Sequence, residues 1–582
     1  MNGTLRSKQG CWTCRLRRKK CDERQPVCST CELLKITCYG YGTKPDWMDG
    51  GPKEKAMIEQ IKQIVKHTSR RKGRLNVALS RFQRKEEVPK LAPKPTTAIT
   101  APAPLPTSES TPSSDNSALN ATGSSPEQSN ETNDTSPGST HDNADGGGAS
   151  WLPSAFSSEE AVLLMHFIDN VFPLQYPVYK PSVAEGGRGW VISLLLRTKP
   201  LYHACLALAT YHRGAVLLEL HRGPCTTAVV VEQEKHLAIC LKEFRESIES
   251  VSHLVGGFDC PNNSLGLMAC VVQLIYFELF AGHDTWKIHL QAASTTFNRG
   301  YYSQIDELGM VRGRDAIWDP EQEMRQIGCA PSEEKAIFRF MSGVVIWLDM
   351  LASITMGTSP NLLEFYSHSI APGSHIKLEN IVGCNNWVAM QLGRIAALHQ
   401  CRASTSQNNC LNINDFEAQA EDIRTELQRG LTELCFSSLE INQEEPAKTF
   451  GPTSKPPAFI TRMFTLSAGI YLHLVVHGFE PHSEALSLLT TEAMMVLRSQ
   501  VPREMMHTII CPLYIVGSVA TGNDQTLFRC VFSAMPVLDP SLEHRSKILP
   551  LLEKIWHQRE TSHIRLSWQD SLNLSDQNLL LI

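Results

Sequence analysis

The stretch GCWTCRLRRKKCDERQPVCSTCELLKITC, residues 10–38, decides how the chain is read. Its cysteines fall as Cys11-x2-Cys14-x6-Cys21 and then Cys28-x2-Cys31-x6-Cys38, so the second half repeats the spacing of the first. Cys-x2-Cys sets two thiolates on one turn, the right separation for two vertices of a tetrahedron. Each half offers a third sulfur after a short helix. Two tetrahedral zinc ions need eight ligand positions, and six cysteines fill eight if two of them bridge. A single four-cysteine site would leave two thiols orphaned and the repeat without a reason. Between Cys11 and Cys38 the apolar residues are few: Trp12, Leu16, Val27, Leu33, Leu34 and Ile36. Metal coordination therefore has to supply the folding energy, on the order of 10 kcal/mol for a structural zinc site. Sulfur-only coordination leaves no position for water, so such zinc is structural.

A basic run lies inside the first half: Arg15, Arg17, Arg18, Lys19 and Lys20. Six thiolates and two dications sum to a negative cluster, which adjacent cations relieve. Arg and Lys at a rigid helix end reach O6 and N7 of guanine in the major groove. Lys8, Arg24 and Lys35 are placed to hold phosphates and set the register. Alone, a basic run is a solvated helix or a nuclear-import signal; inside a six-cysteine cluster it points to double-stranded DNA.

Residues 10–31 resemble the fungal Zn2Cys6 binuclear cluster, and with Cys38 all six ligand positions are present. The resemblance implies that Cys11 and Cys28 bridge two Zn2+ ions. Cys14 and Cys21 would then complete one zinc, and Cys31 and Cys38 the other. It also implies that Arg17 and Arg18 read CGG triplets and that Pro26 turns the chain between the halves. The segment Tyr41–Gly51, ending Trp47-Met48-Asp49-Gly50-Gly51, and the body from Trp151 onward resemble the fungal-specific transcription factor domain of the second type. Bodies of that family regulate activity, in some cases by binding a small-molecule effector.

Charge divides the chain the same way. Residues 1–94 carry 23 Lys+Arg and 9 Asp+Glu, so +14, which leaves -19 on the remainder of a chain with net charge -5. A basic head on an acidic body suits a head that meets a polyanion. The start of the sequence has no apolar secretory signal, and Asn2 rather than Gly argues against myristoylation. No membrane partner is expected: the most apolar long run, Ser264–Gly282, is interrupted by Gln273 and Glu278 and reads as a buried helix. In a reducing compartment the twelve cysteines from Cys205 to Cys530 read as small buried hydrophobes.

The fold class expected is a small Zn2Cys6 cluster, a disordered linker and a large all-α regulatory domain. Residues 1–45 form the DNA-binding domain. Residues 46–90 hold short helices, in which Ile58, Ile61, Ile64 and Val65 make one stripe and Leu75, Leu79 and Phe82 a second. Those stripes read either as a dimerisation element or as an amphipathic helix packing locally or on phosphates. Residues 91–150, rich in Pro, Thr, Ser, Asn and Gly, cannot bury enough surface to offset their ordering entropy; Thr111-Pro112, Ser125-Pro126 and Ser136-Pro137 are candidate phosphate acceptors there. Residues 151–582 carry helical runs with little strand-like alternation: Ser157–Phe172 stopped by Pro173, Tyr202–Leu218, Val229–Ser250, Ser264–Gly282, Thr285–Asn298, Ser332–Thr355, Trp387–Gln400, Asp415–Leu431, Phe459–His477, Glu484–Ser499 and Leu542–Trp556.

No Gly-x-Ser-x-Gly, phosphate loop or His-Glu-x-x-His appears, so no enzyme is expected. His473 and His477 lack a third ligand at readable spacing. Asp349 and Glu278, polar residues in apolar helices, either line a ligand cavity or pair with a neighbouring cation. The function expected is a nuclear transcription factor for genes read by RNA polymerase II, engaging the transcription machinery alone or as a homodimer. The competing reading is a zinc-cluster interaction or metal-buffering module that does not read DNA sequence.

Overall fold

Apolar periodicity and local caps set the helices of the large domain. The Ser157 hydroxyl accepts from Glu160 N at 3.1 Å, capping a helix over Ser158–His166 with Glu159 and Glu160 in its first turn. The helix does not end at Pro173. A π-helical turn, Phe167–Val171, widens the spiral, and Phe172–Gln175 resumes the α-helix. Pro173 then sits in a first turn, where its missing N–H needs no partner. The turn aims Phe172 into an aromatic group with Tyr176, Tyr179, Trp190 and Phe340.

This computed structural model describes residues 10–62 and 157–582. Positions 26, 34–35, 46, 56, 60, 182–186, 220–225, 254–260, 308–332, 406–412, 441–456, 481, 562–565 and 576–577 are excepted. The linker at 91–150, its three candidate phosphate acceptors and the stripe residues Ile64, Val65, Leu75, Leu79 and Phe82 lie outside the described residues. Among the described residues there are helices and no strands.

Each helical run expected in the body is a helix. Lys199–Glu219, Thr226–His253, Pro261–Phe280, Trp286–Glu307, Glu333–Met356, Asn386–Thr405, Ile413–Glu440, Ala458–Val476 and Glu484–Ser499 are the long ones. The run at Leu542–Trp556 is split, with a 3-10 turn over Glu543–Lys547 before the helix Ile548–Thr561. Gly189–Arg197, Leu363–Ser369, Leu378–Val382, Ile510–Val519, Asn523–Phe532 and Trp568–Asn573 are additional helices. Neighbours in sequence pack in pairs: Lys199–Glu219 on Thr226–His253, and Pro261–Phe280 on Trp286–Glu307. Helix Glu333–Met356 touches Pro261–Phe280, Trp286–Glu307 and Asn386–Thr405 and so joins the two ends of the bundle. It is buried all round from Phe340 to Ile354, as a central helix must be. Its last turn is closed from far along the chain. Trp568 Nε1 donates to Ile354 O at 3.1 Å, and Thr355 Oγ1 donates to Leu579 O at 2.7 Å. Leu579, Leu580 and Leu581 are themselves buried.

Ser264–Phe280 is an apolar helix buried in the core, as expected. Glu333–Met356 and Ala458–Val476 are long and apolar enough to cross a membrane, and both lie within the bundle core. The scattered cysteines are mixed. Cys205, Cys240, Cys270, Cys384 and Cys511 are buried hydrophobes as expected, but Cys435 and Cys530 are exposed.

The two polar residues in apolar helices are satisfied locally. Glu278 pairs with His283 Nδ1 at 2.7 Å and accepts from Thr285 Oγ1 at 2.7 Å. Asp349 accepts from Asn361 Nδ2 at 2.8 Å and Leu362 N at 2.9 Å, and burial pushes its carboxyl up. His473 and His477 lie with tilted rings, centroids 5.0 Å apart, and gather no further ligand among the described residues.

Trp568 is 1 % exposed and rests on Tyr471 and Tyr514. Trp568→Ala should cost about 3–5 kcal/mol, read from the denaturation midpoint of the full chain. Burial also holds His544 down to about 3, and His399 and His203 down to about 4, from an ordinary 6.5. The unfolded chain takes up protons near pH 6.5 that these folded imidazoles refuse. Stability should therefore be level above pH 6.5 and fall below it, by up to about 1.4 kcal/mol per pH unit for each histidine. Thermal unfolding between pH 7 and 5 measures the slope, and His399→Leu should reduce it.

Candidate metal centre and nucleic-acid interface

Two short helices carry the cysteines: α1, Trp12–Leu16, and α2, Ser29–Leu33. They are built alike at an offset of 17 residues. Cys11 Sγ accepts from Cys14 N at 3.3 Å and Cys28 Sγ from Cys31 N at 3.4 Å, so each first cysteine caps the turn that carries the second. Beyond α1, Lys19 N donates to Cys14 O at 3.0 Å and Arg18 N to Arg15 O at 3.1 Å. That pair of bonds is a Schellman cap. The corresponding bond beyond α2 runs from Ile36 N to Cys31 O at 3.1 Å. Each cap turns the chain so that the third cysteine returns to the first two. Cys21 then accepts from Cys11 N at 3.4 Å. A Cβ on Gly10 would lie 2.9 Å from Cys21 Cβ, so this return needs glycine there. Between the halves, the Asp22 carboxylate accepts from Ser29 N at 3.0 Å and so holds the start of α2.

The six sulfurs converge into two groups of four: Cys11, Cys14, Cys21 and Cys28, and Cys11, Cys28, Cys31 and Cys38. Within each group the sulfurs lie within 4.8 Å of one another, and Cys11 and Cys28 belong to both. Cys11 Sγ is 3.6 Å from Cys28 Sγ and 3.7 Å from Cys31 Sγ, and Cys14 Sγ is 3.6 Å from Cys28 Sγ. Sulfurs held by one tetrahedral zinc are about 3.8 Å apart, given a Zn–S bond of about 2.3 Å. The donor set fits zinc. Cys14 Sγ is also 3.8 Å from Cys31 Sγ, so the groups abut along this edge. Burial pushes the Cys14 thiol up to about 11 and those of Cys11 and Cys31 well above the thiol range. Buried sulfurs of this kind ionise only beside a compensating cation. Burial acts on Cys21 too, but N–H donors from Cys11 and Glu23 outweigh it and bring the thiol down to about 7.

The five basic residues gather at the end of α1 and the turn after it. Arg15, Arg18, Lys19 and Lys20 are exposed and Arg17 is half-buried. They differ in freedom. The Arg15 guanidinium lies 4.2 Å over the Trp12 ring, whose Nε1 donates to Gly42 O at 3.0 Å. This stack presents Arg15 as a fixed cation. Arg17 Nη1 is buried without a hydrogen-bond partner among the described residues. Arg18 adopts φ +56°, the left-handed position at which Schellman caps favour glycine. Lys8, Lys35 and Pro26 lie outside the described residues.

Other parts of the module escaped the sequence reading. Thr13, fully buried, donates from Oγ1 to Thr37 O at 2.7 Å and accepts from Tyr39 N at 2.9 Å. Tyr41 Oη lies 3.6 Å from Cys21 Sγ and donates to Arg24 O at 2.8 Å. Ile61, one of the stripe residues, is buried with the cysteines, and Ile58 packs beside it. The signal for these was the aromatic density just after Cys38 and the Asp49-Gly50-Gly51-Pro52 helix start.

Comparison with known proteins agrees with this geometry. The fungal Zn(2)-Cys(6) binuclear cluster domain matches residues 9–48, and the fungal specific transcription factor domain matches residues 162–582. The chain is 39 % identical to the Pestheic acid cluster transcriptional regulator 3 of Pestalotiopsis fici over all of both chains. It is 26 % identical to Transcription factor dibT of Pestalotiopsis microspora over 95 % of each. It is 23 % identical to the Trichothecene biosynthesis transcription regulator TRI10 of Trichoderma arundinaceum, over 70 % of this chain and 94 % of that one. No solved structure matches.

The left-handed backbone at Arg18 yields a prediction. Arg18→Gly should stabilise the cysteine module by up to about 1 kcal/mol despite removing a cation, and Arg18→Val should destabilise it. Chelator concentration at half release of zinc from the full chain checks both.

Proposed function

Since the chain belongs to the fungal transcription factors that join a Zn(2)-Cys(6) cluster to a fungal specific transcription factor domain, we propose that it is a nuclear regulator that reads a CGG-like triplet. This family is one of DNA-binding transcription factors and not of enzymes. In this reading Cys11, Cys14, Cys21 and Cys28 hold one Zn2+, and Cys11, Cys28, Cys31 and Cys38 hold the second. Zinc supplies folding energy and fixed geometry. The protein's own residues do the reading. Arg17 and Arg18, at the end of α1, address base edges, while Arg15, Lys19 and Lys20 hold phosphates and fix the register. The observation that carries the proposal is the exposed cationic turn set directly on two sulfur groups that share Cys11 and Cys28.

The organisation proposed with it is a DNA-binding domain at 1–45, a connecting stretch at 46–90, a low-complexity linker at 91–150 and a regulatory body at 151–582. Relatives named for a pestheic acid cluster, trichothecene biosynthesis and a ustiloxin B cluster support a biosynthetic gene set as the target, transcribed in this reading by RNA polymerase II. Contacts with the transcription machinery, control by a small-molecule effector and pairing of two copies on spaced triplets belong to the same proposal.

Selection of random duplexes with the full chain, with and without a chelator, tests it. Zinc at two per chain and enrichment of CGG that the chelator abolishes are the expected results. Arg17→Ala with Arg18→Gly should retain both zinc ions and lose the enrichment, while Lys19→Ala with Lys20→Ala should reduce the salt dependence of binding. Two zinc ions bound with no enrichment would favour the interaction or metal-buffering module instead.

A further inference from the structure

The zinc-cluster pattern ends at Cys38 and its family match at residue 48, but the packing continues. After Cys38 the chain runs back along α1, where Trp12 N donates to Gly40 O at 3.0 Å. Tyr39 meets the edge of Trp47 at a centroid separation of 4.9 Å. The next residues form a tight helix start. Gly50 takes φ +75°, and the Asp49 Oδ1 accepts from Gly51 N at 2.7 Å and Glu54 N at 3.3 Å. Glu54 Oε2 accepts from Gly50 N at 2.9 Å in return. Pro52 opens the helix, where a missing N–H costs nothing. Helical residues follow at 52–55, 57–59 and 61–62.

That helix lies on the cluster. Ile61 is 5 % exposed and shares one apolar group with Leu16, Ile36 and the cysteines, while Met57, Ile58 and Trp47 pack against it. Tyr39 Oη reaches Met57 Sδ at 3.9 Å. Within the described part of this stripe, the apolar face that an isolated helix would offer to a second copy is therefore turned inward.

We propose that residues Tyr39–Lys62 form a strap that completes the zinc module, and that retention of zinc depends on a helix beyond the cluster segment. The physical argument is size. The cysteine segment has almost no apolar surface of its own, and the strap adds Trp47, Met57, Ile58 and Ile61 as the missing lid. The lid shields the sulfurs from water and competing ligands and braces the segment from Cys38 to Gly42, on which Trp12 and hence Arg15 rest. The proposal rests on the reading that the cysteines hold zinc.

Zinc release from the full-length protein into a chromogenic chelator is the test. Ile61→Asp should release zinc about ten-fold faster or more than the wild type, since it places a charge in the lid. Ile61→Val should stay close to wild type, and so should Lys55→Ala on the exposed side. Unchanged melting of the helical body shows that Ile61→Asp has not unfolded the rest. Wild-type release kinetics in Ile61→Asp would overturn the strap. Loss of DNA binding with wild-type zinc retention would overturn it too, because the helix would then be a DNA contact and not a lid. A wild-type chain that carries no zinc would instead fail the zinc reading itself.

Discussion

Cys11 and Cys28 each belong to both sulfur groups, and that sharing constrains everything else in the amino-terminal module. Two tetrahedra with a common edge bring four protein turns to one place. Each turn must then leave without crossing another. The 17-residue repeat meets that requirement by using the same devices twice: a cysteine that caps a short helix, and a bond from the residue five places on that returns to the second cysteine's carbonyl. The cationic residues lie on the first of these return turns. The geometry that gathers the sulfurs therefore also fixes the direction of the basic side chains. The sulfur groups and the cationic turn are joined through backbone, and no one side chain belongs to both.

How much of this was readable in the sequence depends on how local the cause is. Cysteine spacing is a direct record of ligand geometry, so the six sulfurs and the basic turn could be placed from the sequence. Long helices declared themselves by period, although their ends moved by several residues, as with Tyr202–Leu218 against Lys199–Glu219. What stayed hidden depends on partners distant in sequence. For Ile58 and Ile61 the sequence offered local packing or a dimer seam, and the structure shows local packing on the cysteines; periodicity says which face is apolar and not what covers it. Pro173 read as a helix stop because a π turn is a three-dimensional accommodation with no composition of its own. Short helices such as Leu378–Val382 form because tertiary neighbours hold them, and a window of residues that short carries no period.

Two acidic groups buried in apolar helices of the body are answered by partners a few residues along the chain. Asp349 answers the free N–H of Leu362 and the Asn361 amide, and Glu278 gathers His283 and Thr285 at a helix end. These groups fix how a helix meets the loop that follows it. An apolar bundle of this size has many nearly equivalent ways to pack, and a few such bonds select one. The buried histidines act in the opposite sense, as neutral groups that the fold keeps from protons. The same interior thus holds sites that define its register and sites that make it sensitive to acid.

Helix Glu333–Met356 has a consequence for how the protein is made. It takes partners from Pro261–Phe280 before it and Asn386–Thr405 after it, and its last turn waits for Trp568 and Leu579, 214 and 224 residues downstream of their bonding partners. A chain leaving the ribosome amino-terminus first exposes this oily helix long before it can be covered. During that interval the segment looks to the cell like a candidate for insertion into a membrane. Apolar surface left open in this way during synthesis is what molecular chaperones shield.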